Sequence, residues 1–172
     1  MEEEFRLQET IKQLIKKKLL QSVHDISEGG LITALFESGF HRGLGFDVQQ
    51  SATNIRKDAY WFGEAQSRVV ISCTLKNAEE VLSQLKELNV PYEYLGIVTD
   101  NNIDMEGEYW GHIYEWKELY NTAIERMLAP TLKEEGGQET PALKGGERGE
   151  TKNYKEEAAK EALTLKGEVK GV

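Results

Sequence analysis

The chain is short of cysteine, of basic residues and of long apolar runs, and each shortage removes a class of function. Cys73 is the only cysteine, which excludes an internal disulfide and any cysteine-built metal cluster. It lies in the run Val69-Val70-Ile71-Ser72-Cys73, so a buried strand residue is expected rather than a nucleophile. Lys and Arg number 21 against 30 Asp and Glu, a formal net charge of −9. A surface that acidic repels phosphate backbones and anionic lipid, which argues against nucleic acid and membranes as partners. No apolar run approaches the roughly 20 residues that cross a bilayer, and the opening Met1-Glu2-Glu3-Glu4 lacks the basic and apolar regions of a secretion signal. The cytoplasm is the expected compartment.

The apolar share is also low, at 39% of 172 residues, and the deficit is concentrated in residues 130–172. That stretch holds seven glycines, two prolines, seventeen charged residues and one aromatic, Tyr154. It carries too little apolar surface to offset the entropy of ordering it. Residues 1–129 are therefore expected to form one domain, closed by Pro130, and 130–172 a disordered or marginally helical tail. Within the tail only 154–165, with Lys155, Glu156, Glu157, Ala158 and Ala159, has helix-forming composition.

Hydrophobic periodicity organises the rest. Leu7, Ile11, Leu14, Ile15 and Leu19 make one stripe of an amphipathic helix over 5–20. A strand is expected over 22–26, followed by a helix that Ser27 could cap and whose Leu31, Leu35, Phe36 and Phe40 face a core. Leu44, Phe46 and Val48 alternate as in a half-buried strand, and residues 68–75 are the strongest strand signal. Asn77 with Glu80 reads as a capping box opening a third helix. Strands follow over 92–98, 103–105 and 109–113, and a last helix carries Trp116, Leu119, Tyr120, Ala123, Ile124 and Met127 at helical spacing. The expected class is α+β, an α/β sandwich with a mixed sheet and amphipathic helices packed on one face.

Two polar clusters could carry chemistry. In His24-Asp25-Ile26-Ser27-Glu28-Gly29-Gly30-Leu31 a strand hands over to a helix through paired glycines. Free N–H groups at a helix start attract an anion, and glycines let a phosphate approach. The same residues more often serve backbone geometry and an N-cap alone. His24 and Asp25 are not automatically neighbours, because adjacent strand residues point to opposite faces; His41 and His112 add no metal-like spacing. The second cluster, Trp61-Phe62-Gly63-Glu64-Ala65-Gln66-Ser67-Arg68, places Glu64, Gln66 and Arg68 in alternation, either projecting together toward a ligand or forming a solvated loop. Tyr60, Trp61 and Phe62 are consecutive, so on an extended segment at least one ring should stay exposed or meet a partner.

Taken in order, the first cluster, Arg42-Gly43-Leu44-Gly45-Phe46-Asp47, Phe62-Gly63-Glu64-Ala65-Gln66-Ser67-Arg68-Val69-Val70 and Leu95-Gly96-Ile97-Val98-Thr99 resemble the C-terminal domain of phosphoribosylformylglycinamidine synthase over residues 4–128. The resemblance implies a role in an ATP-dependent, magnesium-requiring amide-to-amidine conversion in purine synthesis, fed with ammonia by a glutaminase. It implies a domain that packs against nucleotide-binding domains or self-associates, and a second, architectural copy lining a pseudo-site. Candidate residues of that site are His24, Asp25, Ser27, Gly29, Gly30, Glu64, Gln66 and Arg68. Asp25 stands where the family's first copy has a magnesium-binding Asp, and Ala65 replaces the middle residue of a Glu-Ser-Gln segment. No cofactor is expected to be held by this chain alone.

Overall fold

A computed structural model of the chain describes residues 2–50, 54–128 and 160–166, the last group in backbone only. The elements are α1 (Glu2–Lys16), β1 (Leu20–Asp25), α2 (Gly30–Phe40), β2 (Gly45–Val48), α3 (Lys57–Phe62), β3 (Arg68–Thr74), α4 (Leu75–Glu87), β4 (Tyr92–Thr99), β5 (Asn102–Met105), β6 (Glu108–His112), α5 (Ile113–Leu128) and β7 (Lys160–Lys166). The strands form one mixed sheet in the order β1-β3-β7-β4-β2-β5-β6. β2 and β5 run parallel and the other neighbours antiparallel. The α+β class with a mixed sheet is as expected.

The helices divide between both sheet faces instead of sharing one. β3 shows why: Val70 joins a cluster with Leu31, Leu35, Phe36, Trp61 and Phe46, while its neighbours Ile71 and Cys73 join Leu7, Leu14, Val81 and Leu85. A strand apolar on both sides needs cover on both sides. α1 and α4 therefore pack beneath β1 and β3, and α2, α3 and α5 pack above. Cys73 is fully buried, as its strand position implies.

Local corrections follow from tertiary context. The helix beginning near Ser27 starts instead at Gly30, with Gly29 at its N-cap in the left-handed region and no side-chain cap. α4 opens at Leu75 behind Thr74; Asn77 is inside it and donates Nδ2–H to the Leu19 carbonyl oxygen at 3.0 Å, so it ties α4 to the α1–β1 connection and makes no capping box. Tyr60, Trp61 and Phe62 belong to the short helix α3 and not to an extended segment. The helical rotation buries Tyr60 and Trp61 and leaves Phe62 58% exposed.

Residues 160–166, expected to be disordered or helical, form the strand β7. Local helix propensity is a weak preference, and here the open inner edges of β3 and β4 supply backbone partners that override it. The remainder of the expected tail, 130–159 and 167–172, lies outside the described residues.

Asp47, between Phe46 and Val48 on β2, turns to the opposite face and pairs in register with Asp104 on β5. Burial, reinforced by the Asp104 charge, raises the Asp47 carboxyl above its ordinary value. A raised folded-state carboxyl binds its proton more readily than the unfolded one, so its contribution to stability declines as pH climbs from the acid range through the folded value. Asp47→Asn is accordingly expected to raise the melting temperature at pH 7, with the gain vanishing near pH ~3, where the carboxyl is protonated anyway. Equal gains at both pH values in thermal melts would contradict this.

Candidate functional site

The first cluster sits where β1 ends and α2 begins. Gly29 and Gly30 are both left-handed, with φ of 80° and 74°, and Gly30 N–H donates to the Ser27 carbonyl oxygen at 3.1 Å. Two successive left-handed residues form a tight concave turn that side chains resist. A Cβ on Gly30 would lie 2.5 Å from the carbonyl carbon of Phe62, so the start of α2 rests directly on the end of α3. The two sequence clusters are thus one packed unit.

That unit has its own anion. Gly29 N–H, at the positive end of α2, donates to Glu64 Oε1 at 2.9 Å. A carboxylate at a helix N-terminus satisfies an otherwise orphaned donor and interacts favourably with the dipole. Glu64 therefore takes the position that a phosphate oxygen would occupy, and Ser27 contributes its carbonyl rather than its hydroxyl.

Of the other candidates, Arg68 is buried, at 8% exposure. Ser67, at φ 58°, breaks the extended alternation just before it, so Glu64, exposed Gln66 and Arg68 do not project together. Arg68 Nη1 donates to the Gly63 carbonyl oxygen at 3.2 Å, while its Nε has no partner among the described residues. Burial pulls the guanidinium below its ordinary value, and Tyr60 and Glu93 pull it back. Tyr60 itself donates to Glu93 Oε1 at 2.7 Å. Arg68 thus fastens the α3–β3 connection from below, facing away from solvent.

His24 and Asp25 separate as strand alternation requires. Asp25 is exposed. The imidazole of His24 lies along α2, with Nδ1 2.7 Å from the Asp25 carbonyl oxygen and Nε2 3.1 Å from Glu37 Oε2. Tyr120 on α5 donates to Glu37 Oε1 at 2.6 Å, a bond that raises the phenol above its ordinary value. Periodicity places Tyr120 only on the stripe of the last helix, and gives Glu37 no role. The available signal is Glu37 itself, the one charged side chain in the run from Leu31 to Phe40.

The chemistry these parts support is limited. Among the described residues no group of three or more His, Cys, Asp or Glu side chains is placed to hold a metal ion, so they do not fit a resident magnesium site of six oxygens. The cavity between α2 and the sheet, lined by Leu35, Gly39, Phe46 and Val70 above the hydrogen-bonded hydroxyls of Ser22 and Ser72, measures ≈ 70 Å³. Ligand pockets usually run from ~300 Å³ upward, which makes this space too small for a nucleotide. Among the described residues, no helix is long and apolar enough to cross a membrane.

The chain is 39% identical over 103 residues to the phosphoribosylformylglycinamidine synthase subunit PurL of Alkaliphilus metalliredigens, covering 60% of this chain and 14% of that protein. It is 40% identical over 106 residues to the same subunit of Thermoanaerobacter pseudethanolicus, covering 62% and 14%. It is 28% identical over 128 residues to that of Nitrobacter hamburgensis, covering 74% and 17%. The chain therefore matches only about one seventh of the length of these relatives. The family described as AIR synthase related protein, C-terminal domain, matches residues 1–106. That range takes in the glycine turn, Glu64 and Arg68, and the chain belongs to this family.

Proposed function

We propose that the chain serves as the C-terminal domain of an ATP-dependent synthetase that converts formylglycinamide ribonucleotide to formylglycinamidine ribonucleotide in cytoplasmic purine biosynthesis, and that its local role is architectural. The observation that carries the architectural part is the Glu64 carboxylate on Gly29 N–H. The helix start is already neutralised from within, so the turn serves to lock α3 against α2. Ser27, Gly29, Gly30 and Glu64 then form a closed pseudo-site, Arg68 braces the α3–β3 connection behind it, and ATP and magnesium belong to the parent assembly. Its partners are the nucleotide-binding domains of the synthetase, with the glutaminase reached indirectly.

The exposed apolar residues support such docking. Phe62 on α3 and Ile124, Met127 and Leu128 on α5 stay in water, and both helices flank α2 on one layer. Aromatic and methionine side chains at a surface are typical interface anchors.

The isolated chain given formylglycinamide ribonucleotide, ATP and ammonia is expected to release no ADP above a protein-free control. Sedimentation with a PurL subunit lacking its own C-terminal domain should show a complex. ADP release that survives repurification, or a monomer indifferent to that partner, would overturn the reading. The paired left-handed glycines at the start of an 11-residue helix favour one alternative, an independent phosphometabolite- or nucleotide-binding module. NMR titration with ADP decides it, because saturable shifts at the Gly29 and Gly30 amides would require the ligand to displace Glu64.

A further inference from the structure

Among the described residues the sheet consists of two halves that no direct strand pair joins. β1 and β3 make one; β4, β2, β5 and β6 make the other. Of the described strands, β7 alone bridges them, antiparallel to both. It pairs from Arg68↔Lys166 to Thr74↔Lys160 on one side, and from Tyr92↔Leu165 to Val98↔Lys160 on the other, with a bulge between Tyr94 and Gly96. The upper core spans both halves, since Ile26 and Val70 from the first share a cluster with Phe46, Val48 and Leu95 from the second.

Three observations set β7 apart from its neighbours. It lies beyond residues 1–106, the range that the family shares. It follows α5 after 31 residues, 129–159. It also lies inside the sheet between β3 and β4, although strands that neighbour in a sheet are usually close in sequence. The shared part of the fold therefore provides two inner edges, on β3 and β4, and a separate segment of the chain occupies the gap between them.

We infer that this gap is a strand-accepting slot, and that residues 160–166 are its ligand, bound in cis through the link and replaceable by the same segment from a second molecule. Recognition is through the backbone, as in other strand-addition complexes, and two-sided pairing makes it stronger than addition at a single edge. Register is set by the antiparallel ladders on both sides, and the bulge in β4 fixes one position along it. Losing the ligand would leave both inner edges without partners, which is costly wherever water cannot reach them. The slot is separate from the glycine turn, so this inference does not depend on the synthetase reading.

The test uses the full chain with a protease recognition sequence placed within 129–159 and cut after folding. The cleaved 160–172 segment should co-elute with the body, then exchange with a fluorescein-labelled peptide of identical sequence but not with a scrambled one. In the uncut chain, Leu163→Pro removes one N–H from the ladder, and amide exchange over 68–74 and 92–99 should quicken ~10-fold or more while α1 keeps its protection. If that variant does not fold, the peptide exchange decides alone. Loss of the cut segment with β3 and β4 still fully protected would mean that the two strands close directly on each other, and would overturn the inference. Equal exchange by the scrambled peptide would overturn it too.

Discussion

Gly30→Ala is expected to destabilise the domain by about 3 kcal/mol or more, and Gly107→Ala by only about 1 kcal/mol. Both glycines are left-handed, with φ of 74° and 81°, so both variants carry the same conformational penalty. They differ in space. Nothing lies within 4 Å of a Cβ built on Gly107, whereas on Gly30 it meets Phe62 backbone atoms at 2.5 to 2.8 Å. Backbone cannot step aside as a side chain can, so α2 and α3 must part. The Gly29 N–H bond to Glu64 should be lost with them. Urea titration of both variants measures the difference directly. Equal costs would show that the two motifs do not bear on one another.

Phe36→Ala should cost about 3–5 kcal/mol and loosen α5. The Phe36 ring lies 4.9 Å from Trp116, 5.3 Å from Phe46 and 6.0 Å from Phe40, centroid to centroid. It thereby joins α2, β2 and α5. Within α5 only Ile113 is fully buried; the other holds are polar or partly exposed, namely Trp116 Nε1–H to the Trp110 carbonyl oxygen at 2.7 Å, Lys117 Nζ to the Phe40 carbonyl oxygen at 2.9 Å, and Tyr120, which reaches Glu37 and the Phe40 ring. Removing the ring opens a cavity under the helix, and Trp116 should report it as a change in fluorescence before global unfolding. A cost below about 1 kcal/mol with unchanged fluorescence would place the hold on α5 elsewhere.

Where periodicity was strong, the sequence was legible. Alternation located β2 and β3, and helical stripes located α1, α4 and α5 to within a few residues. Periodicity reports which residues are apolar but not what covers them. The stripe on α5 predicts burial, yet Ile124 and Met127 face solvent, consistent with a surface that belongs to a larger assembly. α3 was missed because six residues cannot display a helical period. β7 was missed because Lys, Glu and Ala favour a helix locally, and only the distant edges of β3 and β4 favour a strand. At the candidate site the motifs were located but their partners were not. Spacing leaves Glu64 between a ligand contact and a solvated loop, whereas it binds Gly29; it sets His24 beside Asp25, whereas the imidazole turns to Glu37. Such pairings depend on how separate elements meet, which no local spacing encodes.

The position of β7 also bears on how the chain folds. The first six strands already pair across long stretches of chain, Leu20 with Cys73 and Phe46 with Ile103, and the sheet is continuous only when residue 166 reaches residue 68, a longer closure still. Closing so long a loop takes ~(3/2)RT ln n of entropy before any pairing offsets it, and topologies rich in such distant contacts fold on the slow end, in ~milliseconds to seconds. Until then β3 and β4 each present a bare edge, the same template that drives intermolecular strand pairing. Time spent in that half-assembled state, more than the stability of the finished sheet, governs how much of the chain is lost to aggregation during refolding.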